Sequence, residues 1–121
     1  MITMSSSLAE NDWNFRILDK RLGIVKTKNE PTAKIAVLDS LTNLSFIVQA
    51  PQTTIIKQLS INHKYLLTLR VYTSKNIENV EKDFISFFEA IDIDQPMEDF
   101  IKAYWVYPTK VRFELVEVEE T

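Results

Sequence analysis

The residues able to do chemistry are few, and their spacing fits no catalytic motif. Asp92, Asp94, Glu98 and Asp99 form a cluster of carboxylates of the kind that can hold Mg²⁺ or Ca²⁺. A calcium loop starting at Asp92 fails, because Met97 stands where the sharp turn needs Gly. The same carboxylates fit helix capping and a solvated face. His63 is the only His of the chain and lies in Ile61-Asn62-His63-Lys64, a turn pattern. A Ser-His-Asp triad would have to use it, and no G-x-S-x-G elbow is present. One Gly in 121 residues leaves no glycine-rich phosphate cradle. The absence of Cys removes thiolate nucleophiles, thiolate metal sites and disulfides together. The expectation is a protein with no catalytic residues, no metal and no cofactor.

Aromatic residues and cations carry the binding readings. Tyr104, Trp105 and Tyr107 stand beside Pro108, and Phe84, Phe87 and Phe88 fall within five residues. Phe87 and Phe88 point about 100° apart on a helix, so one narrow core stripe does not need both. Either the helix is buried on a wide face or one Phe is offered to a partner. These six aromatics are the candidate protein-binding residues, because Trp and Tyr dominate interface hot spots. A second set suits single-stranded nucleic acid. Lys20, Arg21, Lys26, Lys28, Lys34 and Arg70 would supply a basic groove, with Phe46, Tyr65 and Tyr72 as stacking faces. That reading requires the cations to converge on one face with an exposed aromatic among them.

Charge divides along the chain. Residues 1–75 hold ten Lys/Arg against five Asp/Glu, a balance of +5, and residues 76–121 hold four against twelve, a balance of -8. The two parts therefore suit different neighbours. No apolar run reaches the roughly 18 residues of a membrane helix. The Ser-rich stretch 1–12 has neither the basic start nor the apolar core of a signal peptide, and reads as a disordered lead-in. Cytosol or nucleus is the expected location, with no membrane partner.

The elements that must position these residues follow from periodicity. A basic first strand runs from Phe15 to Lys26, with its apolar parity changing between Ile17 and Leu18. That change predicts a bulge or sharp bend near Gly23, or a turn there between two shorter strands. Thr27 to Pro31 reads as a turn. Ala33, Ile35 and Val37 alternate, as do Leu44, Phe46, Val48 and Ala50, with a turn at Ser40 to Asn43. Thr53 to Leu59 fits a short helix, and Tyr65, Leu67, Leu69 and Val71 the cleanest strand. Ile77 to Ile91 carries a helical stripe behind an Asn76 cap. Asp94 can cap a second helix, with Met97, Phe100, Ile101 and Tyr104 inward. Val111, Phe113 and Leu115 form a last strand, and Val116 and Val118 continue on the shifted parity. The class is α+β, mainly antiparallel. Its expected core includes Ile35, Val37, Phe46, Val48, Leu67, Leu69, Val71 and Phe113, within a single domain over residues 13–121.

The hairpin Ala33–Ala50, with Val37-Leu38-Asp39 entering its turn, and the strand Tyr65-Leu66-Leu67-Thr68-Leu69-Arg70-Val71 resemble the small OB-fold subunits of single-strand-binding complexes. Examples are the smallest subunits of replication protein A and of the telomere-capping CST complex. The resemblance covers residues 15–73 and rests on pattern, without a diagnostic motif. It implies a five-stranded OB-like barrel, here with a helical insertion before the last strand. It also implies a non-enzymatic assembly subunit, in a hetero-oligomer that handles single-stranded nucleic acid. The chain departs from those subunits by ending in a strand where they close with a helix. Direct binding of single-stranded DNA or RNA is the alternative function, and a metal-dependent enzyme built on the carboxylates a minor one.

Overall fold

Alternation of apolar and polar residues builds most of this chain into strands, and the strands close in a ring. The computed structural model describes residues 12–51, 53–74 and 96–121. In chain order these form β1 (Trp13–Asn29), β2 (Lys34–Asp39), β3 (Ser45–Gln49), α1 (Thr53–Gln58), β4 (Lys64–Ser74), α2 (Pro96–Val106) and β5 (Val111–Glu120). The spatial order is β1-β2-β3-β5-β4, with β4 pairing back to β1. Every pairing is antiparallel except β3 with β5, a single parallel bridge at Gln49 and Glu114.

The inward parity of each strand supplies the core. All eight expected core residues are buried, together with Val25, Tyr65, Val111 and Leu115. Phe46 and Phe113 meet between the neighbouring strands β3 and β5 with centroids 4.8 Å apart. The buried Tyr65 hydroxyl is satisfied by accepting from the Ser60 amide at 2.8 Å. Beneath the ring, α1 buries Ile56, and Leu59 just beyond its end is also buried. The ammonium of Lys28 donates to the Leu59 carbonyl at 2.7 Å and to the Ile56 carbonyl at 3.3 Å, the latter also accepting from the Leu59 amide. Against β3 and β5, α2 buries Met97, Phe100, Ile101 and Ala103.

Strand β1 serves both halves of the ring, and here the structure corrects the expectation. It pairs with β4 from Trp13 to Ile24 and with β2 from Gly23 to Asn29. Its irregularities lie between Phe15 and Ile17 and between Val25 and Thr27, on either side of Gly23. Gly23 instead marks the crossing between the two partners. A Cβ there would stand 2.6 Å from Val37 Cγ1 and 3.1 Å from Leu67 Cδ1, so the site requires close approach. Thr27 and Lys28 are strand residues, because pairing to Ala36 and Ile35 outweighs their turn composition. The turn starts at Glu30, and Ala33 closes it at φ 57°, its amide donating to the Glu30 carbonyl. In β5 the shifted parity is a register break: Leu115 faces Leu69, Glu117 faces Thr68, and Val118 returns to the core side. The helix expected over Ile77 to Ile91, with Phe84, Phe87 and Phe88, lies outside the described residues.

Candidate interaction site

The tryptophan of α2 is both fixed and open. Tyr104 turns inward against Phe113, with centroids 5.7 Å apart, and is half-buried. Its neighbour Trp105 therefore points away from the core and is 58% exposed, and Val106 is 68% exposed. The Trp105 indole N–H donates to the Ser45 carbonyl at 2.7 Å, and its ring meets Tyr104 edge-on at 5.6 Å. A large apolar ring is thus held in one orientation and presented to solvent at the seam where β3 and β5 share only one bridge. Tyr107 is half-buried, so of the three aromatics expected here Trp105 alone is open.

The nucleic-acid set does not assemble. Phe46 and Tyr65 are core residues, which corrects their placement as stacking faces: both sit on the inward parity of their strands. Tyr72 is half-buried and packs edge-on against Phe15 at 5.9 Å. Lys20 and Arg70 lie on the β1–β4 face, Lys34 at the start of β2, and Lys26 and Lys28 beside α1 and the loop after it. Most are engaged: Lys26 with Asn62 at 2.9 Å, Arg70 with Glu114 at 3.6 Å, and Lys20 with Glu119 at 4.0 Å. Of the six cations, Lys34 alone has no partner among the described residues. It lines a groove of about 290 Å³ formed by the end of β1, β2, β3, the start of β5 and Tyr104 of α2, with Asn29, Ile47, Gln49 and Arg112.

Arg21 belongs to a feature that sequence reasoning missed. In the first half of β1 two leucines face out and two charged residues face in, although Ile17 packs against the core and Lys20 is exposed. Leu18 and Leu22 are 59% and 42% exposed, while Asp19 and Arg21 turn toward the ring interior. Arg21 lies 3.4 Å from Asp19 and 3.7 Å from Asp39, whose carboxylate is fully buried and also accepts from the Thr42 amide and hydroxyl. These charge pairs are not hydrogen bonds in full: Asp19 Oδ2, Arg21 Nε, Asp39 Oδ1 and Ser40 Oγ are buried without a hydrogen-bond partner. The signal was present in the parity change between Ile17 and Leu18. Alternation alone does not say which side of such a strand is the core. Outside, Leu22, Leu66 and the hairpin-tip Leu41 surround a hollow of about 390 Å³ that Lys20, Arg21 and Ser40 also line.

His63 lies exposed in the turn before β4, and its carbonyl accepts from the Val25 amide. Glu98 pairs with Lys102 one helical turn on, at 3.2 Å, while Asp92 and Asp94 lie outside the described residues. Among the described residues no three His, Cys, Asp or Glu gather where a metal ion could sit. No described helix is long and apolar enough to cross a membrane. Comparison with protein-family models, curated proteins and solved structures finds no match.

Proposed function

We propose that this chain is a non-enzymatic interaction subunit of a multiprotein complex, with the exposed end of α2 as a docking surface. The observation that carries the reading is Trp105, 58% exposed yet locked by its bond to the Ser45 carbonyl. An ordered, solvent-facing indole loses little freedom on binding, which is the property of a hot-spot residue. Val106 and Ile47, also exposed, extend the apolar surface at this end of the molecule. The strand order, the bent β1 serving two partners, and the parallel β3–β5 closure support an OB-like five-stranded barrel. On that fold analogy, the complex is one that handles single-stranded nucleic acid.

The test is co-purification of the full chain from its own cells, followed by affinity measurement with the stoichiometric partner so obtained. Trp105→Ala should weaken that affinity by at least about 1 kcal/mol, roughly fivefold. Unchanged affinity in Trp105→Ala and in Val106→Asp would remove α2 as the docking surface.

A further inference from the structure

We propose that the α2 docking surface takes an acidic segment of a protein partner, extended along β3, with its carboxylates in the groove that Lys34 and Arg112 line. The apolar half of this site rests on the docking reading of Trp105, whereas the groove half stands on its own residues. Strand register places the groove. Asn29, Lys34 and Gln49 stand side by side on β1, β2 and β3, and Thr27, Ala36 and Ile47 form the next row. Alternation turns Lys34, Ala36, Ile47 and Gln49 away from the core, since Ile35, Val37, Phe46 and Val48 are buried. Strand β5 meets β3 in parallel at Gln49 and Glu114, and Ile47 and Arg112 precede that bridge by the same two residues. Both rows and Arg112 line the hollow of about 290 Å³.

What the groove offers is donors. Lys34 is exposed and has no partner among the described residues, and no described Asp or Glu lines the groove. Arg112 lies over the Trp13 ring at 5.3 Å, a contact that leaves its charge without a described carboxylate. Asn29 accepts from the Thr32 amide through Oδ1 at 3.2 Å, which commits its carbonyl oxygen and leaves its amide nitrogen as a donor. Two cations and an amide donor, with no carboxylate among them, suit an anion rich in acceptors.

The other end of β3 is apolar. There Trp105 is held on the Ser45 carbonyl, and Ile47, 39% exposed, follows on the same parity. From Ser45 to Gln49 the strand spans about 13 Å, the reach of about four extended residues. A ligand lying along it meets an indole and an aliphatic side chain first, and the two cations next. An acidic peptide with one apolar anchor matches that order. A single-stranded nucleic acid does not, because its phosphates recur along its whole length. At the Trp105 end the neighbouring cation, Lys102, is already paired with Glu98 at 3.2 Å. Charge complementarity therefore selects a peptide with carboxylates at one end of its contact and an apolar side chain at the other.

Random peptides displayed on phage and selected on the immobilised full chain read this preference without a known partner. Enriched peptides should carry more Asp and Glu than the input library, beside a Leu, Phe or Trp. The tightest of them, synthesised with a fluorescent label, should lose at least about tenfold in affinity in Lys34→Glu, with the thermal midpoint retained. Arg112→Gln should weaken it in the same direction. Lys57→Glu, an exposed control on α1, changes the net charge equally and should leave affinity within about twofold. No enrichment, or enriched peptides no more acidic than the library, overturns the proposal. So does an equal loss in Lys34→Glu and Lys57→Glu, which would be a response to net charge alone. A single-stranded oligonucleotide that displaces the peptide at physiological salt makes nucleic acid the occupant and also overturns it. The two readings fail separately. Acidic peptides sensitive to Lys34→Glu but indifferent to Trp105→Ala keep the groove and remove α2 as the docking surface. Neutral apolar peptides sensitive to Trp105→Ala keep the docking surface and remove the acidic occupant.

Discussion

At the scale of single residues, Gly23 and Leu69 do opposite work in the same ring. Gly23 provides an absence, the space into which Val37 and Leu67 pack. A methyl added there meets Val37 Cγ1 at 2.6 Å, and a β-branched side chain has little rotamer freedom with which to withdraw. Gly23→Ala should therefore cost about 1–3 kcal/mol, the range for overpacking a filled core, read as a lower urea midpoint with unchanged slope. Leu69 supplies volume: it is fully buried and faces Asp19 on one side and Leu115 on the other. Leu69→Ala should cost about 2–5 kcal/mol by the same measurement. An Ala variant at either site as stable as the parent chain would mean that the ring is loosely packed there.

Elements differ in how much of them the sequence made legible, and the difference has a physical cause. Strands β2, β3 and β4 carry a regular apolar parity, as does β5 up to its register break, and alternation fixes which residues are buried once one face is apolar and the other polar. Their core residues are accordingly those the pattern picked. Strand β1 lacks that contrast, because Asp19 and Arg21 face in while Leu18 and Leu22 face out. Its inward Arg21 is also paired with Asp39 from β2, a long-range partner that no local window contains. The same limit applies to the binding aromatics: parity placed Phe46 and Tyr65 in the core, whereas the exposure of Trp105 depends on Tyr104 taking the inward position. The α2–β3 contact gives a further prediction. Trp105→Phe keeps an aromatic ring but removes the donor to the Ser45 carbonyl. With only one bridge joining β3 to β5, amide exchange in Ser45–Gln49 should accelerate while that of β4 stays unchanged. Equal protection in the variant would show that the indole bond does not hold the seam.

For the whole molecule the question is whether its positive groups can act together on a polyanion. The net charge of -3 does not decide this, since a local patch can bind against an unfavourable total. Distribution does. Arg21 sits between two carboxylates, Arg70 is drawn to Glu114, and Lys28 is committed to the carbonyls at the end of α1. Releasing Arg70 to a phosphate would leave Glu114, a buried residue, without that cation, which opposes the exchange. Each neutralised phosphate of a single strand contributes about -0.7 to the log–log slope of affinity against salt. Lys34 is the one cation of the six without a described partner. The isolated chain should therefore give no gel shift with single-stranded oligonucleotides at physiological salt. At low salt any residual binding should have a slope near that of one or two phosphates, and Lys34→Ala should abolish it. A slope corresponding to five or six phosphates would mean that the internal ion pairs open for nucleic acid. The direct-binding reading would then displace the adaptor reading.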